Sequence, residues 1–202
     1  MVNDNVSSKV KRTRYVFTAV FAAMIAVSGF FIVPLPGGVP IVLKNMFVVL
    51  SGTILGSFYG GISVLIFIAA GIIGIPVFVI PGGLGVFSTP LGGYIIGYFA
   101  ASLCAGLIAG LPKLSEKKIS PLCIIKISLA SFVGFALILI CGSLYMMILN
   151  GMSFKAAMIA GSGPFIIGDA IKFAISIPLG LVLRPIAARY LNPDEEVHPS
   201  TR

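Results

Sequence analysis

Asp169 is a lone acid and Lys172 a base three residues on, inside an apolar stretch that runs from Pro164 to Tyr190 and carries Arg184 and Arg189 only toward its far end. Between Tyr15 and Pro193 the only other acid is Glu116, which sits in a short basic loop. A charge at bilayer depth costs at least ~2.5–3.5 kcal/mol on insertion scales, so this pair needs a reason to be there. Residues at i and i+3 share a helix face and can meet one ligand or each other. A carboxylate only accepts hydrogen bonds and an ammonium only donates them. Together they suit a small polar ligand that presents N–H groups beside a carbonyl or carboxylate. A salt bridge that merely packs helices is the plainer alternative.

Lys44 and Asn45 begin another apolar run at the same membrane level. Lys44 either meets a ligand or snorkels to the headgroups. Asn45 is too short to snorkel and needs a partner from protein, water or ligand. Phe78 and Phe87 bracket a glycine-rich loop, Tyr94 follows Gly92–Gly93, and Phe165 and Tyr145 lie near the same end. An interfacial aromatic belt would explain such residues without function. Their loop context makes Phe78, Phe87 and Tyr94 the better pocket wall, with Phe165 beside the acid.

The elements that must hold these residues are membrane helices. Of 202 residues 58% are hydrophobic and 10% charged, against about 25% charged in a typical soluble domain. Six apolar segments approach the ~20 residues that span a bilayer: Tyr15–Val33, Val42–Phe58, Gly60–Val79, Pro90–Leu111, Pro121–Leu149 and Pro164–Tyr190. They are continuously apolar rather than alternating, which argues against membrane strands. The net charge of +8 is spread over short flanks between these runs, a topology signal rather than a nucleic-acid surface.

Eleven of the fourteen basic residues fall on the side of the N-terminus: Lys9, Lys11, Arg12, Arg14, Lys113, Lys117, Lys118, Lys126, Arg184, Arg189 and Arg202. Lys44, Lys155 and Lys172 fall on the other. The bias predicts both termini in the cytoplasm. The expected organisation is a basic cytoplasmic tail (1–14), a six-helix transmembrane domain (15–191) and a polar cytoplasmic tail (192–202), with no cleavable signal peptide. The outer loops Val33–Pro40, Ile80–Pro90 and Asn150–Pro164 are glycine- and proline-rich yet apolar. Irregular backbone at that depth survives when it is buried or lines a cavity, so these loops are expected to cap an extracellular-side pocket.

Ala19/Ala23 and Ala22/Ala26 lay a small-residue strip along the first segment, for internal packing or for docking another membrane protein. Gly52/Gly56, Gly56/Gly60, Gly93/Gly97 and Gly106/Gly110 repeat the spacing and read as intramolecular. Cys104, Cys123 and Cys141 are too widely spaced for a metal site, and His198 lies in the tail. No nucleotide loop, acid pair or metal cluster is visible, so catalysis, ATP hydrolysis and a cofactor are not expected.

Four runs carry a resemblance: VPLPGGVPIVLKNMFVVLSGTILG (Val33–Gly56), GIIGIPVF (Gly71–Phe78), GGLGVFSTPLGGYIIGY (Gly82–Tyr98) and GPFIIGDAIK (Gly163–Lys172). In this order they resemble the BioY family, the biotin-binding S components of energy-coupling factor (ECF) transporters. The resemblance implies a six-helix S component in a prokaryotic plasma membrane that captures biotin from outside with high affinity. Its implied partners are a membrane coupling protein and a pair of ABC-type ATPases. It carries the substrate site onto Asp169, Lys172 and Tyr94, and the docking face onto Ala19/Ala23 or Ala22/Ala26. Asp169 could accept a ureido N–H of biotin, while Lys172 or Lys44 could meet the ureido oxygen or the carboxylate. The competing expectations are an S component for another vitamin and a membrane-embedded protein that is not a transporter.

Overall fold

The computed structural model describes residues 2–33, 41–78, 83–114 and 120–191. Glu116, Lys117, Lys118, His198, Arg202, the tip of the first outer loop and part of the second lie outside them. The elements are α1 (Val2–Ser28), a two-stranded ladder of β1 (Ile32–Val33) and β2 (Ile41–Val42), α2 (Lys44–Ile72), α3 (Leu91–Ala109), α4 (Pro121–Asn150), α5 (Phe154–Gly161) and α6 (Ile166–Leu191). Short 3-10 turns at Leu84–Ser88 and Gly163–Phe165 lead into α3 and α6. The strands pair antiparallel with Ile32 opposite Val42.

Among the described residues four helical stretches, Lys44–Ile72, Leu91–Ala109, Pro121–Asn150 and Phe154–Leu191, are long and apolar enough to cross a membrane. The sequence divides the first of these into two segments, and the backbone shows why. A straight helix of 29 residues would be about 43 Å long. Yet Lys44 at its start reaches the carbonyl of Val77, just beyond its end, at 2.8 Å. The chain folds back at Gly56, whose φ of 81° and ψ of 172° lie outside helical values and suit glycine. The arms 44–55 and 57–72 then press together so closely that a Cβ on Gly60 would sit 2.7 Å from the Cα of Gly52. The predicted break between Phe58 and Gly60 therefore falls a few residues earlier.

The other boundaries follow the apolar runs closely, with three exceptions, one being the third segment, whose helix ends at Ile72 rather than Val79. The first segment ends as helix at Ser28 rather than Val33, where the chain turns into β1, and its helix extends back through the basic tail to Val2. The third outer loop is not irregular: its middle is α5. Gly151 closes α4 in the left-handed region (φ 62°), and the Ser153 hydroxyl accepts from the Ala156 amide to start the new helix.

α3 is packed between α2 and α4, and small residues set the approach. Gly52 lies against the Ser102 backbone, Gly106 against Ser57, and Gly93 against Cys141 and Tyr145. In lipid, where apolar contact alone gives little drive, such close backbone approach is what holds helices together. Inside α1 the buried residues Thr18, Phe21, Ala22 and Ile25 recur at helical spacing and face the bundle.

Two arginines tie the Gly56 end. Arg184, 1% exposed, donates to the carbonyls of Thr53, Ala109 (3.0 Å), Gly110 (3.1 Å) and Leu111 (3.2 Å). Arg14 donates to the carbonyl of Leu191 at 2.9 and 3.2 Å. Both cations sit where helices present their last carbonyls, the negative end of the helix dipole. Positions that read only as topology signals in the sequence are also structural clasps.

Candidate functional site

The helix starts collect at the opposite end. Lys44 and Asn45 occupy the first turn of α2, Leu91, Tyr94 and Tyr98 one face of α3, and Asp169 and Lys172 the first two turns of α6. Because α2 folds back at Gly56, the residues around Val77 and Phe78 return to this end as well.

Asp169 and Lys172 are each 4% exposed and form an ion pair through Oδ1 and Nζ. Asn45 Nδ2 approaches the same Oδ1 at 3.5 Å, and Lys172 also donates to the carbonyl of Val42 at 3.2 Å. So the first turn of α2 and the chain entering it hold both members of the pair. The second carboxylate oxygen, Oδ2, is buried with no hydrogen-bond partner among the described residues. An unsatisfied buried acceptor costs free energy that a donor on a ligand would recover.

Beside this cluster lies a cavity of about 110 Å³, bordered by Val42, Lys44, Asn45, Leu91, Tyr94, Tyr98, Leu139, Phe165 and Lys172. A second space of about 40 Å³ shares Lys44, Leu91, Tyr94 and Tyr98 and adds Phe78, Val86 and Ile95. The side chains of Lys44, Leu91, Tyr94 and Tyr98 border both. A bicyclic organic ligand needs more room than either offers, so those side chains must shift to receive one. Tyr94 donates to the carbonyl of Gly161 at the end of α5 and meets the Phe165 ring edge-on at 5.9 Å between centroids. The third outer loop is thereby fastened to α3 as a helix rather than a coil.

Of the residues expected at the site, Lys172, Asn45, Lys44, Tyr94 and Phe165 border the larger space, Asp169 is bonded to two of them, Lys172 and Asn45, and Phe78 borders the smaller. Phe87 stands apart. Its carbonyl accepts from the Tyr145 hydroxyl and its backbone packs on Gly92, so it supports α3 and α4 rather than lining either space. Tyr98, Leu91, Val42 and Leu139 were not picked out from the sequence. Tyr98 had a visible signal, since it lies four residues after Tyr94 and therefore on the same helix face.

The alanine strip divides by face. Ala19 and Ala23 are exposed with Val16, Val20 and Val27, whereas Ala22 is 6% exposed and Ala26 packs against the core. The 18-21-22-25 stripe turns Ala22 inward, which removes Ala22/Ala26 from the candidates for docking and leaves Ala19/Ala23.

Residues 3–189 match the BioY family model. The biotin transporter BioY of Rhodobacter capsulatus is 34% identical over 185 residues, covering 83% of this chain and 89% of the relative. The protein of the same name from Thermotoga maritima is 32% identical over 168 residues, covering 83% and 93%. A crystal structure of the S-component for biotin from an ECF-type ABC transporter superposes with a TM-score of 0.72 at 28% identity, over 86% of this chain and 92% of that one. The chain belongs to the BioY family, a family of membrane transport proteins.

Proposed function

We propose that this BioY-family chain is the biotin-binding subunit of a vitamin uptake transporter in a prokaryotic plasma membrane, capturing rather than chemically altering its ligand. The observation that carries the reading is the buried cluster of Asn45, Asp169 and Lys172 beside an apolar, aromatic-walled cavity. The ureido ring of biotin presents N–H donors and a carbonyl. Asp169 Oδ2 lacks a donor among the described residues, while Lys172 and Asn45 can supply one to a ring oxygen. Tyr94, Tyr98, Phe165 and Phe78 would enclose the apolar bicycle.

In this reading the chain crosses the bilayer six times, with the fold-back at Gly56 counted as the inner turn between the second and third crossings. Both termini are cytoplasmic and the cavity opens outward, in keeping with the excess of basic residues at the Gly56 end. Concentrative uptake then requires an ECF coupling protein and its ATPases, met through the exposed Ala19/Ala23 face. The test is titration calorimetry of the purified chain with biotin. Binding of biotin but not of thiamine or riboflavin is expected. Absence of biotin binding by folded protein, or equal binding of another vitamin, would overturn the assignment.

A further inference from the structure

Lys44 and Lys172 both border the cavity, yet their surroundings differ. Lys172 is neutralised by Asp169 and spends a second donor on the carbonyl of Val42. Asp169 is the only acid whose side chain is among the described residues, so Lys44 has no counter-ion among them. Its ammonium donates to the carbonyl of Val77 at 2.8 Å and lies 5.0 Å from the centre of the Phe67 ring. That leaves donors to spare.

Nor does Lys44 snorkel. It is 3% exposed and held in a built seat. Gly29 makes the room: a Cβ there would lie 2.6 Å from Lys44 Cε and 2.7 Å from Nζ. The Phe67 face offers attraction to a cation, but weakly compared with a full negative charge. A buried ammonium with one strong acceptor is under-satisfied and would be relieved by an anion.

Position separates the two polar ends. Lys44 and Asn45 are successive residues on a helix, so their side chains diverge by about 100°. Asn45 turns to Asp169 on α6, and Lys44 turns to Phe67 on the returning arm of α2 and to Val77 just beyond it. Lys44 borders both spaces, while Asn45 and Lys172 border only the larger. We infer that Lys44 is the carboxylate subsite: it selects ligands with a negatively charged tail, while the Asn45–Asp169–Lys172 cluster takes a neutral polar ring at the other end. The inference rests on the biotin reading and orients the ligand within it.

Calorimetric affinities for biotin and for its primary amide, which keeps the ring but loses the charge, test it. The unmodified chain is expected to prefer the acid by roughly 10- to 100-fold, the scale of one charge-assisted hydrogen bond. Lys44→Met should collapse that preference to within threefold, and Lys44→Gln provides a polar second variant should methionine disturb folding. Equal affinity of the unmodified chain for acid and amide would overturn the subsite and leave biotin binding intact. Collapse of the preference in Lys172→Met but not in the Lys44 variants would place the carboxylate at the other lysine and equally overturn it. If neither compound binds, the functional assignment itself fails and the subsite falls with it.

Discussion

Replacing Asp169 with asparagine separates a ligand contact from a packing salt bridge. In the folded chain, Oδ1 is committed to Lys172 and Asn45, and Oδ2 is the buried acceptor without a partner among the described residues. If Oδ2 accepts a ureido N–H, the bond is charge-assisted, and such bonds contribute about 1.5–3 kcal/mol net. At 1.4 kcal/mol per tenfold, Asp169→Asn should weaken biotin binding by about 10- to 150-fold. The same change strands the Lys172 ammonium in the bundle, so the thermal midpoint should fall too. The double variant Asp169→Asn/Lys172→Met removes both charges together. A pure packing bridge can be exchanged for neutral residues at little cost, so the double variant should regain thermal stability. It should not regain affinity. The assay is calorimetric titration with biotin in detergent, alongside scanning fluorimetry of each variant. Affinity within threefold of the unmodified chain in folded Asp169→Asn, or its restoration in the double variant, refutes the contact and leaves a structural ion pair.

Arg184→Met should cost about 3 kcal/mol of stability, because the carbonyls of Thr53, Ala109, Gly110 and Leu111 lose a charged donor. A lower melting temperature is expected, with biotin affinity of the folded fraction held within threefold, since Arg184 lies at the end away from the cavity. Gly142→Ala would put a Cβ 2.2 Å from Tyr94 Cε1 and 2.4 Å from Cδ1, an overpacking of ~1–3 kcal/mol. The ring must then leave its place beside Phe165 and the Gly161 carbonyl, so a roughly tenfold loss of biotin affinity is expected by titration. An unchanged affinity would show that Tyr94 is no wall of the site.

What could be read from the sequence depended on how far each signal reaches along the chain. Uninterrupted apolar runs near bilayer length fixed α3, α4 and α6 to within a few residues, because hydrocarbon thickness sets the number. The cost of charge in lipid was enough to single out Asp169 and Lys172, and an i,i+3 spacing put them on one face. Helical periodicity alone could also have joined Tyr98 to Tyr94. The remaining decisions depended on contacts between distant segments. Phe78 borders the smaller space and Phe87 borders neither, although both flank the same loop. Ala22 and Ala23 are neighbours in sequence, yet one packs inward and the other faces out. Lys44 and Asn45 share a turn but meet different partners, since the fold-back at Gly56 brings Val77 and Phe67 to the one and α6 supplies Asp169 to the other. Local chemistry told which side chains needed partners; only the packed bundle determined which partners came within reach, because hydrogen bonds and ion pairs act over a few ångströms and the chain brings them that close by folding.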